Sequence, residues 1–154
     1  MVTDDVVRPS MLAGVRYGAI QRHGDSRGSF RELWRASGFP GRAFVALVDV
    51  RPLLEDVGAS PIVETRELPV DHWVEIPTGV AHGFLALDPL DLIYLVTNEY
   101  DGSDELGFAW DDPIVGVPWP AVESTADGRP ILSGRDHANP SLAELAARLR
   151  ADRG

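Results

Sequence analysis

Short apolar runs, each cut off by glycine or proline, are the feature that most limits how this chain can fold. Gly 15 and Pro 12 punctuate the sequence throughout. Between them lie the runs 15–20, 44–50, 73–76, 84–87 and 92–97. Many short runs broken by turn residues predict an all-β sandwich or barrel. Asp88-Pro89-Leu90-Asp91 separates the last two runs and reads as a hairpin turn. One segment breaks the pattern. Ser141 and Glu144 have capping-box spacing, and Leu142, Leu145, Ala146 and Leu149 then recur on one helical face. Pro140 precedes this stretch, and Arg148, Arg150 and Arg153 cluster near its end, where positive charge suits the helix dipole. A terminal helix packed on a β core is expected.

A chain of 154 residues, 44% hydrophobic, fits one domain spanning 1–154. With Cys 0 there is no disulfide framework, no thiolate zinc site and no cysteine nucleophile, and the cytoplasm is the expected compartment. The opening Met1-Val2-Thr3-Asp4-Asp5 has no basic region followed by an apolar stretch, so no leader peptide is expected. No segment reaches the roughly 18 apolar residues of a spanning helix, so no membrane partner is expected. The net charge of -10 argues against nucleic acid, whose phosphates need a basic face. An anionic ligand would need arginines gathered locally against that field.

Pro77-Thr78-Gly79-Val80-Ala81-His82 is a tight turn that delivers His82 to the start of the run ending at Leu87. A histidine there can face a cavity and titrates near working pH. On spacing alone, the plainer account is a histidine tied to backbone at a strand end. Asp25-Ser26-Arg27-Gly28 is a glycine turn leading into a strand on which Phe30 and Glu32 share a face. Arg27 can offer a bidentate fork to phosphate, although a charged hairpin is equally ordinary. Tyr94 sits inside an apolar run, the usual setting of a core tyrosine with its hydroxyl tied. A metal centre finds few ligands: the four histidines, His23, His72, His82 and His137, include no pair one residue apart, and three or four converging ligands are needed.

Taken together, residues 25–32, the phrase Ile76-Pro77-Thr78-Gly79-Val80-Ala81-His82-Gly83-Phe84, Tyr94, Tyr100, Trp110-Asp111-Asp112-Pro113, Trp119-Pro120 and Leu132-Ser133-Gly134-Arg135-Asp136 resemble the dTDP-4-dehydrorhamnose 3,5-epimerase family. The resemblance runs from about Leu12 to the terminal helix. It implies a cupin-like double-stranded β-helix, or jelly-roll, barrel with a C-terminal helix, and a homodimer paired partly through N-terminal strands. It implies a dTDP-linked 4-keto-6-deoxy sugar as substrate, with no cofactor and no metal. By residue, it implies that Arg27, Phe30 and Glu32 contact the nucleotide and diphosphate. Tyr94 is then the general acid, Tyr100 lines the sugar site, His82 belongs to the active site, and Asp136 orients a histidine base.

The reaction so implied inverts carbons flanking a C4 ketone. A base removes the acidified proton, a donor holds the enolate oxygen, and an acid returns a proton to the other face. The family carries its base in a strand reading Gly-Val-Leu-Arg-Gly-Leu-His, and that phrase is absent here. Phe39-Pro40-Gly41-Arg42-Ala43-Phe44 runs straight into Val45-Ala46-Leu47-Val48-Asp49-Val50-Arg51, which matches the strand after the missing part. A gap of roughly thirty residues corresponds to about three strands. It removes the histidine that Asp136 would orient and an arginine of the phosphate site, and it leaves sheet edges open. His72 is a conceivable substitute base, but Asp71-His72-Trp73 reads as a turn ahead of a strand. Two functions follow: an epimerase acting in deoxysugar biosynthesis, or a catalytically silent sugar-nucleotide-binding or scaffold relative on the same fold.

Overall fold

The computed structural model describes residues 9–19, 41–69, 72–96, 106–122 and 125–152, and the backbone of 23–25 and 28–30. Its centre is strand β4, which forms one sheet with β5 and β7. In chain order the elements are β1 (Arg16–Ala19), β2 (His23–Asp25), β3 (Gly28–Phe30), β4 (Ala43–Asp49), α1 (Arg51–Glu55), β5 (Ile62–Leu68), β6 (His72–Glu75), β7 (Val80–Ala86), α2 (Gly134–Ala138) and α3 (Leu142–Ala151). β4 lies between β5 and β7, antiparallel to both, while β1 pairs with β6 and β2 with β3 in two antiparallel ribbons.

Ala43-Phe44-Val45-Ala46-Leu47-Val48-Asp49 is apolar at six successive positions because β4 is covered on both faces. Alternation sends its side chains into two separate cores. Ala43, Val45 and Leu47 join Val80, Leu12 and Val15, with Tyr17 of β1 and Val74 of β6 packed against them. Val48 points the other way, toward Val115, Leu142 and Ala146, and Leu53 of α1 joins that second cluster. Strict register fixes which residues share a face. Leu47 stands between Glu64 of β5 and His82 of β7, and Val45 stands between Arg66 and Phe84.

The turn into β7 forms as its residues require. Val80 N–H donates to the Pro77 carbonyl at 3.2 Å, and Gly79 holds φ 87°, a conformation only glycine adopts without strain. Gly18 meets a different demand. It lies opposite Trp73 in the β1–β6 ribbon, and a Cβ there would sit 2.3 Å from the indole. Helix α1 begins directly after β4, with Pro52 in its first turn, where no N–H is missed. The guanidinium of Arg51 clasps the buried Asp49 carboxylate and donates to the Ala13 carbonyl at 3.0 Å.

The terminal helix starts at the expected capping box. Ser141 and Glu144 exchange side-chain-to-backbone bonds in both directions. A second anchor comes from Asp112, only 3% exposed, whose carboxylate accepts from Leu142 N–H at 2.7 Å and from Ile114 N–H at 2.8 Å. Thus the second Asp of Trp110-Asp111-Asp112-Pro113 welds that loop to the start of α3. Near the other end of the helix, Arg150 donates to the Leu53 carbonyl of α1 at 2.8 Å.

Two expectations need correcting. Within the run 92–97, the described residues form no strand: residues 91–96 continue without turn, bend or ladder bond, and 97 lies outside the described residues. β-Branched and aromatic residues favour a strand, but a strand exists only beside a partner, and among the described residues none lies along this one. β5 was not expected as a strand. Glu64 and Arg66, at positions facing the first core, hide its alternation.

Candidate functional site

The His82 and Tyr94 rings meet on the face of β7 that Leu47 shares. Their centroids are 5.9 Å apart with planes tilted by 44°, and Tyr94 also reaches Phe84 at 6.4 Å. His82 and Phe84 lie two residues apart on one strand and so project to one side. Phe84 was visible in the motif without a role. The i, i+2 spacing from His82 is the signal that places it beside Tyr94.

His82 and Tyr94 are both exposed by surface area, Tyr94 by 54%, while the neighbouring protein atoms still desolvate each ring in part. Burial lowers the His82 imidazole pKa below its ordinary 6.5, which keeps it neutral near pH 7. The same cause raises the Tyr94 phenol above its ordinary 10.0, which keeps it protonated. One group is thereby suited to accept a proton and the other to give one. The rings are in contact, so a sugar cannot lie between them.

A polar cluster occupies the same face beyond Leu47. Glu64, 5% exposed, accepts from Ser10 Oγ and Met11 N–H at 2.7 Å each and from Arg66 at 3.1 Å. Arg66 in turn lies 3.9 Å over the Tyr17 ring. Burial alone would raise the Glu64 pKa. The bonds from Ser10 and Met11, the Tyr17 hydroxyl and the Arg66 charge outweigh it and hold the carboxyl below its ordinary value. Burial first, then the charge of Glu64, pushes the Tyr17 phenol well up. That hydroxyl is buried beside the pair without a hydrogen bond of standard geometry. The cluster ties the 9–12 segment to β5. Its carboxylate is occupied by donors, which makes it a structural anchor.

Asp136 lies elsewhere. It occupies the first turn of α2, where its carboxylate accepts from Ser133 Oγ at 2.7 Å and its N–H donates to the same oxygen at 3.1 Å. Among the described residues no imidazole is hydrogen-bonded to it. With Trp110, Asp111, Arg129 and His137 it lines an open cleft of about 440 Å³ that His82 and Tyr94 do not border. Arg129 pairs with Asp111 at 3.0 Å and stands 5.3 Å from the Trp110 ring centre. Among the described residues the orienting contact between Asp136 and a base is not made; its carboxylate accepts from the hydroxyl of Ser133, the residue that caps α2.

Trp119 secures the wall behind β7. Its indole N–H donates to the Trp110 carbonyl at 2.8 Å, its ring packs on Phe44 at 5.6 Å, and a Cβ at Gly83 would lie 3.3 Å from it. The glycine of Ala81-His82-Gly83-Phe84 thus admits the indole beneath the histidine strand. His72 opens β6 opposite Ala19, rather than sitting in a turn ahead of it. Among the described residues no group of three or more His, Asp or Glu side chains is placed to hold a metal ion. Arg27, Glu32 and Tyr100, and the side chain of Phe30, fall outside the described residues. Among the described residues no helix is long and apolar enough to cross a membrane.

The sequence profile of the dTDP-4-dehydrorhamnose 3,5-epimerase family matches residues 39–144. The chain is 36% identical over 107 residues to the Sinorhizobium fredii dTDP-4-dehydrorhamnose 3,5-epimerase, covering 68% of this chain and 51% of that one. It is 40% identical over 110 residues to the Mycobacterium tuberculosis enzyme of the same name, covering 70% and 52%. The chain therefore spans about half the length of these relatives. The spore coat polysaccharide biosynthesis protein SpsL of Bacillus subtilis is 30% identical over 149 positions, with 97% of it covered but only 71% of this chain. That share is about 110 of 154 residues, so about 40 aligned positions have no counterpart here. In three dimensions the rmlC epimerase of Mycobacterium tuberculosis superimposes with a TM-score of 0.62 at 23% identity, over 95% of this chain and 90% of that one. A 4-keto-6-deoxy sugar epimerase from the novobiocin cluster of Streptomyces spheroides gives 0.60 at 20%, over 93% and 90%. These likenesses give the fold, a cupin-like jelly roll with a C-terminal helix. The chain belongs to the dTDP-4-dehydrorhamnose 3,5-epimerase family.

Proposed function

We propose that this member of the dTDP-4-dehydrorhamnose 3,5-epimerase family acts on a dTDP-linked 4-keto-6-deoxy sugar in deoxysugar biosynthesis. It moves protons at the carbons beside the C4 ketone. The observation that carries this reading is the His82–Tyr94 contact, with burial displacing the two pKa values in the directions that a base and an acid need. In this scheme neutral His82 removes the proton next to the ketone, and the Tyr94 hydroxyl supplies one to the enolate. Arg27, Phe30 and Glu32 hold the nucleotide and diphosphate, and Tyr100 lines the sugar. The chain works as a single domain, 1–154, in the cytoplasm, as a homodimer, with neither nucleic acid nor a membrane as partner.

A second reading has its own support. His82 and Tyr94 touch each other and so approach the sugar from one side, whereas inversion needs groups on both sides. Asp136 accepts from the Ser133 hydroxyl at the start of α2, and among the described residues it orients no histidine. Both facts favour a catalytically silent relative that keeps the pocket for binding.

Solvent deuterium wash-in on dTDP-4-keto-6-deoxyglucose, read by NMR at C3 and C5, separates the two. Incorporation above the control without protein supports the first reading, and loss of epimerised product in Tyr94→Phe with dTDP binding retained assigns the acid. Binding without incorporation selects the silent relative. Epimerised product formed at an unchanged rate in Tyr94→Phe removes that residue from the mechanism.

A further inference from the structure

Among the described residues no hydrogen bond reaches the His82 imidazole, and the aromatic ring it meets is Tyr94. A histidine base is ordinarily aimed by a partner on its second ring nitrogen. Here the backbone of β7 does the aiming. His82 stands in the third ladder pair from the start of that strand, after Asp49–Val80 and Val48–Ala81. Element ends open first, so the placement of His82 depends on what holds this end shut.

One side chain grips it from three directions. Asp49, 5% exposed, closes the ladder opposite Val80. Its Oδ1 accepts from the Arg51 backbone N–H at 3.0 Å and from Arg51 Nε at 2.7 Å, and its Oδ2 accepts from Arg51 Nη2. That two-pronged fork fixes direction as well as distance. The same Nη2 donates to the Ala13 carbonyl, in the loop ahead of β1. The stem of Arg51 lies on the turn into β7: a Cβ at Gly79 would stand 2.6 Å from its Cγ and 2.9 Å from its Cδ. Beside it, Val50 N–H donates to the Gly79 carbonyl at 3.2 Å.

We propose that Arg51 is a positioning residue: by clamping Asp49 and the Gly79 turn it fixes the start of β7, and so sets where the His82 imidazole meets Tyr94. This placement stands on geometry, and only its effect on turnover rests on the proposed function. Lysine cannot take over the role. Its ammonium is a point charge that pairs with Asp49 but cannot present a rigid fork to both oxygens and reach Ala13 as well.

Arg51→Lys is therefore the first test. It keeps a cation beside the buried carboxylate and so keeps the fold, which circular dichroism verifies. Gly79→Ala reaches the same contact from the other side, because its Cβ drives the Arg51 stem off the turn. In both variants, NMR of the isotope-labelled chain should lose the cross-peaks between the His82 and Tyr94 rings while those between β4 and β5 persist. Deuterium wash-in at saturating substrate should fall by about tenfold to a hundredfold with KM little changed, the pattern of a displaced group. Asp112→Ala, which loosens α3 on the far side of the sheet, is the control for lost stability and should keep the ring cross-peaks. If the unmutated chain shows those cross-peaks but no wash-in, the proposed chemistry falls and the cross-peaks alone decide the role of Arg51. Ring cross-peaks absent from the unmutated chain, retained in either Arg51→Lys or Gly79→Ala, or lost equally in Asp112→Ala would each overturn the proposal.

Discussion

Replacing Asp112 by alanine tests whether a motif residue that looks catalytic is structural. Its carboxylate is buried and accepts two backbone N–H groups, from Ile114 in its own loop and from Leu142 at the start of α3. Alanine removes both acceptors and leaves the two donors unpaired. The buried Leu142 N–H costs about 1–3 kcal/mol when unpaired, the Ile114 N–H of an exposed residue costs about 1 kcal/mol or less, and a carboxylate at a helix N-terminus adds a smaller favourable dipole interaction that is also lost. The sum is about 2–5 kcal/mol, a large share of the roughly 5–15 kcal/mol that holds a domain together. For a chain of this size that corresponds to a fall in Tm of roughly 10 °C. Asp112→Asn retains one acceptor but turns an amide donor toward the other N–H, so it should lose about half as much. Urea titration monitored by tryptophan fluorescence measures both variants, and hydrogen exchange should show the Leu142 amide opening first. If Asp112→Ala costs under about 1 kcal/mol, the loop and helix are held by packing alone and the reasoning fails.

Three other outcomes follow from the geometry. Gly18→Ala should destabilise by about 1–3 kcal/mol, because its Cβ enters the Trp73 ring, and adding Trp73→Leu should recover part of that loss in the same urea assay. Glu64 has a folded pKa below its ordinary 4.5, so its contribution is full above that value and is lost as pH falls through the lower folded value. Glu64→Gln should therefore flatten the acid side of the stability–pH curve below about pH 4.5, and an unchanged slope would refute the assignment. If His82 is the base, wash-in should persist below pH 6.5 and fade only as the imidazole protonates at its lowered pKa, while the raised Tyr94 pKa moves any alkaline limb above pH 10. A half-maximal point at or above 6.5 would exclude His82.

Sequence patterns located β4, the Pro77–Val80 turn and the capped terminal helix because each is a local pattern with a local cause. β5 escaped because Glu64 and Arg66 take positions that face the core. They are satisfied by Ser10, Met11 and Tyr17 from far along the chain, and no local pattern reports such partners. The run at 92–97 misled for the opposite reason: its composition suits a strand, while a ladder depends on a second segment. At the site, the motif phrase brought His82 and Tyr94 forward, and the structure places them in contact. Asp136 was legible in another way. Ser133-x-x-Asp136 has the same capping spacing as Ser141-x-x-Glu144, so the helix start could have been read from spacing, but the family motif pointed to catalysis.

β4 serves two masters: its alternate side chains belong to cores that otherwise share no residue. Cooperativity is the consequence. Neither the ribbon side nor the helix side can open fully without exposing half of the same strand, so the two layers should melt as one unit rather than in sequence. The β4 amides should then be the last to exchange with solvent. A ligand that tightens the His82 face should slow exchange in α3, on the far side of the sheet, with no contact between them.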